Sequence, residues 1–91
     1  MIELQLTVPN KLGLHARAAA KLVGLASRLD LTLTLSRDGT QWVDARNIMG
    51  LLMLGAKKGT PLTFRIDGKD AQAGQAELED LFARFFDEPQ D

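Results

Sequence analysis

The chain has 91 residues, enough for one domain core and no second. Its 45% hydrophobic and 25% charged residues suit a globular protein, and 11 basic against 12 acidic side chains offer no basic excess for nucleic acid. The absence of cysteine excludes disulfides, thiolate metal sites and thiol nucleophiles together.

Ile2, Leu4, Leu6 and Val8 alternate with Glu3, Gln5 and Thr7, which predicts a strand with one buried face. Pro9-Asn10-Lys11-Leu12-Gly13 predicts a loop, because proline cannot donate to a ladder and glycine tolerates unusual backbone angles. From Ala16 helix formers take over, and Ala19, Leu22, Val23 and Ala26 fall at i, i+3, i+4 and i+7 on one apolar face. Leu31, Leu33 and Leu35 alternate with Thr32, Thr34 and Ser36 in a second half-buried strand. Asp38-Gly39 predicts a hairpin turn, with Gln41-Trp42-Val43 as the short returning strand. Asn47 suits the N-cap of a short helix reaching Leu54, and Gly55 is placed to end it. Leu62, Phe64 and Ile66 alternate with Thr63 and Arg65 in another strand, and Asp67-Gly68 turns the chain into the last helix. There Ala71, Gly74, Leu78, Leu81, Phe82 and Phe85 are expected to form one apolar stripe. A single domain is expected over residues 1–88, with fraying from Asp87 and residues 89–91 as a loose tail.

The order β-α-β-β-α-β-α predicts an α+β fold. Polar residues along one face of the strands leave that face to water, so the helices must share the other. The expected architecture is an open-faced β-sandwich, a four-stranded antiparallel sheet with three helices on one face. The opening alternation lacks a signal-peptide pattern, and the longest apolar run, residues 48–56, is too short and too rich in glycine to span a bilayer. A soluble, cytoplasmic protein with no membrane insertion is expected.

The stretch Gly13-Leu14-His15-Ala16-Arg17-Ala18-Ala19-Ala20-Lys21-Leu22-Val23 puts the only histidine at the mouth of a helix, with an arginine in its first turn. Unpaired amides and the positive end of the helix dipole favour an anion there, and Arg17 can add charge-assisted hydrogen bonds to phosphate oxygens. A neutral imidazole nitrogen in that place can attack phosphorus directly. The same residues also fit a capping histidine and a solvated surface arginine, and spacing by itself leaves both readings open.

Asn10-Lys11-Leu12-Gly13-Leu14-His15-Ala16-Arg17 resembles the active-site signature of the HPr family, the histidine phosphocarriers of the bacterial phosphoenolpyruvate-dependent sugar phosphotransferase system. Arg46-Asn47-Ile48-Met49-Gly50-Leu51-Leu52-Met53-Leu54-Gly55-Ala56-Lys57-Lys58-Gly59 is similar to that family's second helix and the loop that leaves it. The two motifs stand in the family's order and spacing. The resemblance implies phosphorylation of His15 on Nδ1 by enzyme I, with Arg17 and the Ala16 and Arg17 amides cradling the phosphate. It implies onward transfer to EIIA-type sugar-specific components and docking through Ile48, Met49, Leu52 and Met53. A helix carrying apolar residues around much of its girth, two of them methionines, agrees with a surface that accepts several partners.

Two positions depart from the pattern. Ala18 stands where the family usually has proline, and Asn47 where many relatives carry a regulatory serine. Asparagine caps a helix but has no hydroxyl to phosphorylate, so control by seryl phosphorylation is not expected. A paralogous carrier in a nitrogen-related or dihydroxyacetone kinase phosphorelay would show the same motifs. A binding module that never takes phosphate is a further alternative, although it would need neither His15 nor Arg17. An enzyme is not expected, since no acid lies within residues 4–29 to assist His15. One histidine, no cysteine and no calcium-type loop imply no metal, and the absence of a Walker loop leaves no nucleotide cofactor. The carrier is expected to act as a monomer.

Overall fold

The computed structural model describes residues 1–89. Strands β1 (Ile2–Thr7), β2 (Thr32–Ser36), β3 (Trp42–Asp44) and β4 (Pro61–Asp67) form one sheet in the order β1-β4-β2-β3. All three pairings are antiparallel. Helices α1 (Ala16–Arg28), α2 (Ile48–Met53) and α3 (Ala71–Ala83) cover one face, giving the open-faced sandwich expected from the element order. A short 3-10-type turn, Phe85–Asp87, follows α3.

Burial follows position in the sheet. The central strand β4 buries Leu62, Phe64 and Ile66 completely, whereas Ile2, Leu4 and Leu6 on the edge strand β1 are half-buried. On the open face Arg65 lies 4.0 Å above the Trp42 ring and bonds Glu3 at 2.8 Å, so the water-facing side carries polar cross-strand pairs. The hairpin between β2 and β3 has a loop of residues 37–41 around Asp38-Gly39, because Ser36 pairs with Trp42. The strand accordingly starts at Trp42, one residue later than expected. The Thr40 and Gln41 amides donate to the Asp38 carboxylate and hold its pKa well below the usual range.

The helix stripes shift slightly from the sequence pattern. α1 buries Ala18, Ala19, Leu22, Leu25 and Ala26, with Val23 only half-buried at the edge of the stripe. Asn47 caps α2 as expected, accepting the Gly50 amide at 3.1 Å, and Gly55 follows with φ +63°. α3 buries Gly74, Leu78, Leu81 and Phe82, but Phe85 is not part of its stripe. The helix ends at Ala83 and the chain turns left-handed, so Phe86 enters the core with no exposed surface while Phe85 stays 37% exposed. The tail expectation is corrected in the same place. Asp87 belongs to the turn and bonds Arg84 at 3.1 Å, and Glu88 is buried rather than frayed. Of the expected loose tail, residues 90 and 91 lie outside the described residues.

Candidate functional site

His15 is the N-cap of α1, with extended backbone angles and no side-chain capping bond. Its carbonyl accepts the Ala19 amide at 2.8 Å, which leaves the amides of Ala16, Arg17 and Ala18 without an intrahelical partner. Leu14, buried beneath, pins the preceding residue to the core, and its amide donates to the Ala56 carbonyl at 2.9 Å. Gly13 makes this approach possible. It has φ +70°, and a Cβ there would sit 2.5 Å from the Ala56 oxygen. The site loop is thereby tied to the loop after α2, which places the start of α1 beside the end of α2.

The side chains expected from sequence do meet at this point. Lys11, Leu12, His15, Ala16 and Arg17 line one surface cavity, and Arg17 reaches outward from the first helical turn. Glu88 and Pro89 close its other side. The Glu88 carboxylate is 4% exposed and bonds His15 Nε2, whose side chain is 29% exposed. Asn10, fully buried, donates from Nδ2 both to Glu88 at 2.9 Å and to the Gly13 carbonyl at 2.7 Å. Burial alone would raise the Glu88 pKa. The hydrogen bonds from His15 and Asn10, with the charges of His15 and Arg17, outweigh it and hold the carboxyl below its ordinary value. An ionised carboxylate only accepts hydrogen bonds, so Nε2 carries the proton, and the lone pair with which the ring can attack belongs to Nδ1.

Glu88 corrects the premise on which sequence reading set an acid aside. No acid lies near His15 in the chain, but the fold brings one from 73 residues away. The four expected docking residues also separate. Ile48, Met49 and Met53 are 39%, 63% and 82% exposed, while Leu52 is half-buried and packs against the core. Among the described residues no group of three or more histidine and acidic side chains could hold a metal ion, and no helix is long and apolar enough to cross a membrane.

The family model for the PTS HPr component phosphorylation site matches residues 2–84, with both motifs and the whole sheet inside it. The chain belongs to the HPr family. It is 48% identical to the phosphocarrier protein HPr of Xylella fastidiosa over 97% of this chain and 98% of that one. It is 42% identical to the phosphocarrier protein NPr of Shewanella violacea over 96% of this chain and 94% of that one. The crystal structure of HPr-C-His from Thermoanaerobacter tengcongensis superposes with a TM-score of 0.91 at 33% identity, covering 99% of this chain and all of that one. This HPr-family chain is therefore a phosphocarrier and not an enzyme. The matched span ends at Arg84, so Glu88 lies beyond the part of the chain that the family model describes.

Proposed function

We propose that this carrier accepts phosphate on Nδ1 of His15 from phosphorylated enzyme I and passes it to EIIA-type sugar-specific components in the cytoplasm. The observation that carries the assignment is the occupation of Nε2 by Glu88, which leaves the lone pair on the other ring nitrogen at the mouth of α1. The Ala16 and Arg17 amides and the Arg17 guanidinium supply donors where charge gathers on the transferring group. Nδ1 forms the new bond to phosphorus as the donor's bond breaks and its electron pair stays with the donor. Return transfer reverses the step, and the phosphoramidate is labile enough to allow it. Incubation with enzyme I, magnesium and phosphoenolpyruvate should yield an acid-labile phosphate, and regiochemical analysis should find it on Nδ1. An acid-stable adduct, or none, overturns this reading.

Arg17→Ala should fold normally, because the side chain is exposed, yet transfer slowly in both directions. Loss of one charge-stabilising donor is worth about 2–4 kcal/mol of transition-state stabilisation. Rapid-quench transfer rates check this, and unchanged rates would make Arg17 a solvated surface residue.

Ile48, Met49 and Met53 form the exposed apolar patch beside the site, and this reading makes them the docking face. Met49→Glu should raise the KM for the phosphoryl donor by about tenfold or more, since anchors near an interface centre carry much of the binding energy. Thermal stability should move by no more than about 0.5 kcal/mol, as for other exposed substitutions. Leu52→Glu is the contrasting case, because its half-buried side chain also supports the core.

The NPr relative supports a second reading, in which the same chemistry serves a nitrogen-related phosphorelay. The rate of phosphorylation by sugar-branch and nitrogen-branch enzyme I, measured side by side, separates the two.

A further inference from the structure

Three consecutive residues other than glycine, Phe85, Phe86 and Asp87, have φ of 57°, 53° and 62°. Left-handed backbone disfavours side chains other than glycine, and bulky ones most. The turn persists because it is anchored on both sides. Phe86 fills the core with its ring centroid 4.9 Å from that of Phe82, and Asp87 is held by Lys21 at 3.2 Å and Arg84 at 3.1 Å. The next residue is Glu88, delivered against Nε2 of His15. Asn10 braces it from below, and the brace has a cost of its own. Asn10 Oδ1 is buried with no hydrogen-bond partner among the described residues, an unmade bond that accompanies the aim of Nδ2 at Glu88. A left-handed turn and an orphaned acceptor converge on one carboxylate.

We propose that Glu88, braced by Asn10, is a positioning residue for phosphoryl transfer: it fixes the His15 ring with Nε2 protonated and stabilises the positive charge the ring acquires when Nδ1 bonds phosphorus. The proposal rests on the carrier reading above. When Nδ1 attacks, the ring becomes a phosphoryl-imidazolium whose Nε2 proton stays in place against Glu88. No proton has to move in either direction. The carboxylate sits on the ring edge away from Nδ1, so it meets the imidazolium charge without crowding the phosphate oxygens. By keeping Nε2 protonated, the same contact lets the ring leave as neutral imidazole rather than imidazolate when the Nδ1–P bond breaks and its electron pair returns to Nδ1, so it serves donation as well as acceptance.

The test compares full-length wild type, Glu88→Gln and Glu88→Ala, with enzyme I and phosphoenolpyruvate as the phosphoryl source. Glutamine keeps an oxygen that accepts the Nε2 hydrogen but loses the charge, and alanine loses both. In a catalytic triad, spoiling the carboxylate that orients histidine lowers kcat about 10,000-fold; here the proton stays put, so about 10- to 100-fold is expected for alanine. Glutamine should recover part of that loss, and the KM for the donor should not change, since the docking patch is untouched. The 15N spectrum of the unphosphorylated ring supplies a readout that a purely structural role would not move. Wild type and Glu88→Gln should show a protonated Nε2 and an unprotonated Nδ1, whereas Glu88→Ala drifts towards the mixed tautomers of free histidine. Equal kcat in all three proteins, or a loss confined to KM, overturns the proposal. So does a kcat loss in Glu88→Ala with the ring spectrum unchanged. Wild type that takes up no phosphate overturns the carrier reading itself, a different result from an intact carrier indifferent to Glu88.

Discussion

Replacing His15 by alanine should abolish phosphate acceptance completely while the domain stays folded. The chain has no second histidine and no cysteine, so no other side chain offers a nitrogen or sulfur nucleophile suited to reversible transfer. The structure also sets the size of the stability change. The substitution removes a hydrogen bond from a carboxylate that is 4% exposed, which is worth about 1.5–3 kcal/mol for a bond to a charged group. A domain of this size holds about 5–15 kcal/mol in reserve, so the variant remains folded with a melting temperature lower by roughly 10 °C. Mass spectrometry after incubation with enzyme I and phosphoenolpyruvate is the decisive measurement. Acid-labile phosphate persisting on the variant would show that the carrier nucleophile lies elsewhere.

The architecture was legible in the sequence wherever one periodicity governed a whole element. Leu62, Phe64 and Ile66 must share a face because a strand alternates, and all three are fully buried. The α1 stripe was legible as well, with an error at its margin: Val23 lies at the rim of the face, and Leu25 replaces it in the core. The His15 loop could be recognised because its chemistry is local. The cap, the unpaired amides, Gly13 and Arg17 all lie within a few residues of one another.

Glu88 could not be found in that way. Its partner is distant in the chain, and its approach depends on a turn with three positive φ angles that no local preference of Phe85, Phe86 or Asp87 predicts. One signal was present. Two adjacent phenylalanines at the end of the last helix are poor residues for a frayed tail, since a solvated tail gains nothing from large apolar side chains. An aromatic pair there implies an anchor, and an anchor implies that the residues after it have fixed places. The half-burial of Leu52 was hidden for a related reason. On a helix as short as α2, the sequence pattern does not separate the rim of the core from the exposed patch.

Phe86→Ala should produce the largest loss of stability of any substitution considered, and should slow transfer although the ring does not line the site. Phe86 is fully buried and packs on Phe82, which in turn meets Phe64 edge-on at 5.5 Å. Truncating a buried phenylalanine costs about 3–5 kcal/mol, a large part of what a small domain possesses. Phe85→Ala should cost clearly less, because that side chain is 37% exposed. The sequence stripe alone orders the pair the other way, placing Phe85 in the core, so thermal or urea unfolding of the two variants decides between them. The kinetic effect follows from the same geometry. Without Phe86 the left-handed turn loses its apolar anchor, and relaxation of the backbone takes Glu88 away from His15. Phosphoryl transfer per folded molecule should then fall to the level of Glu88→Ala, and adding Glu88→Ala to Phe86→Ala should lower it little further, since both changes remove the same contact. Independent, multiplying losses in the double variant would show that Phe86 influences His15 by a route other than the C-terminal turn.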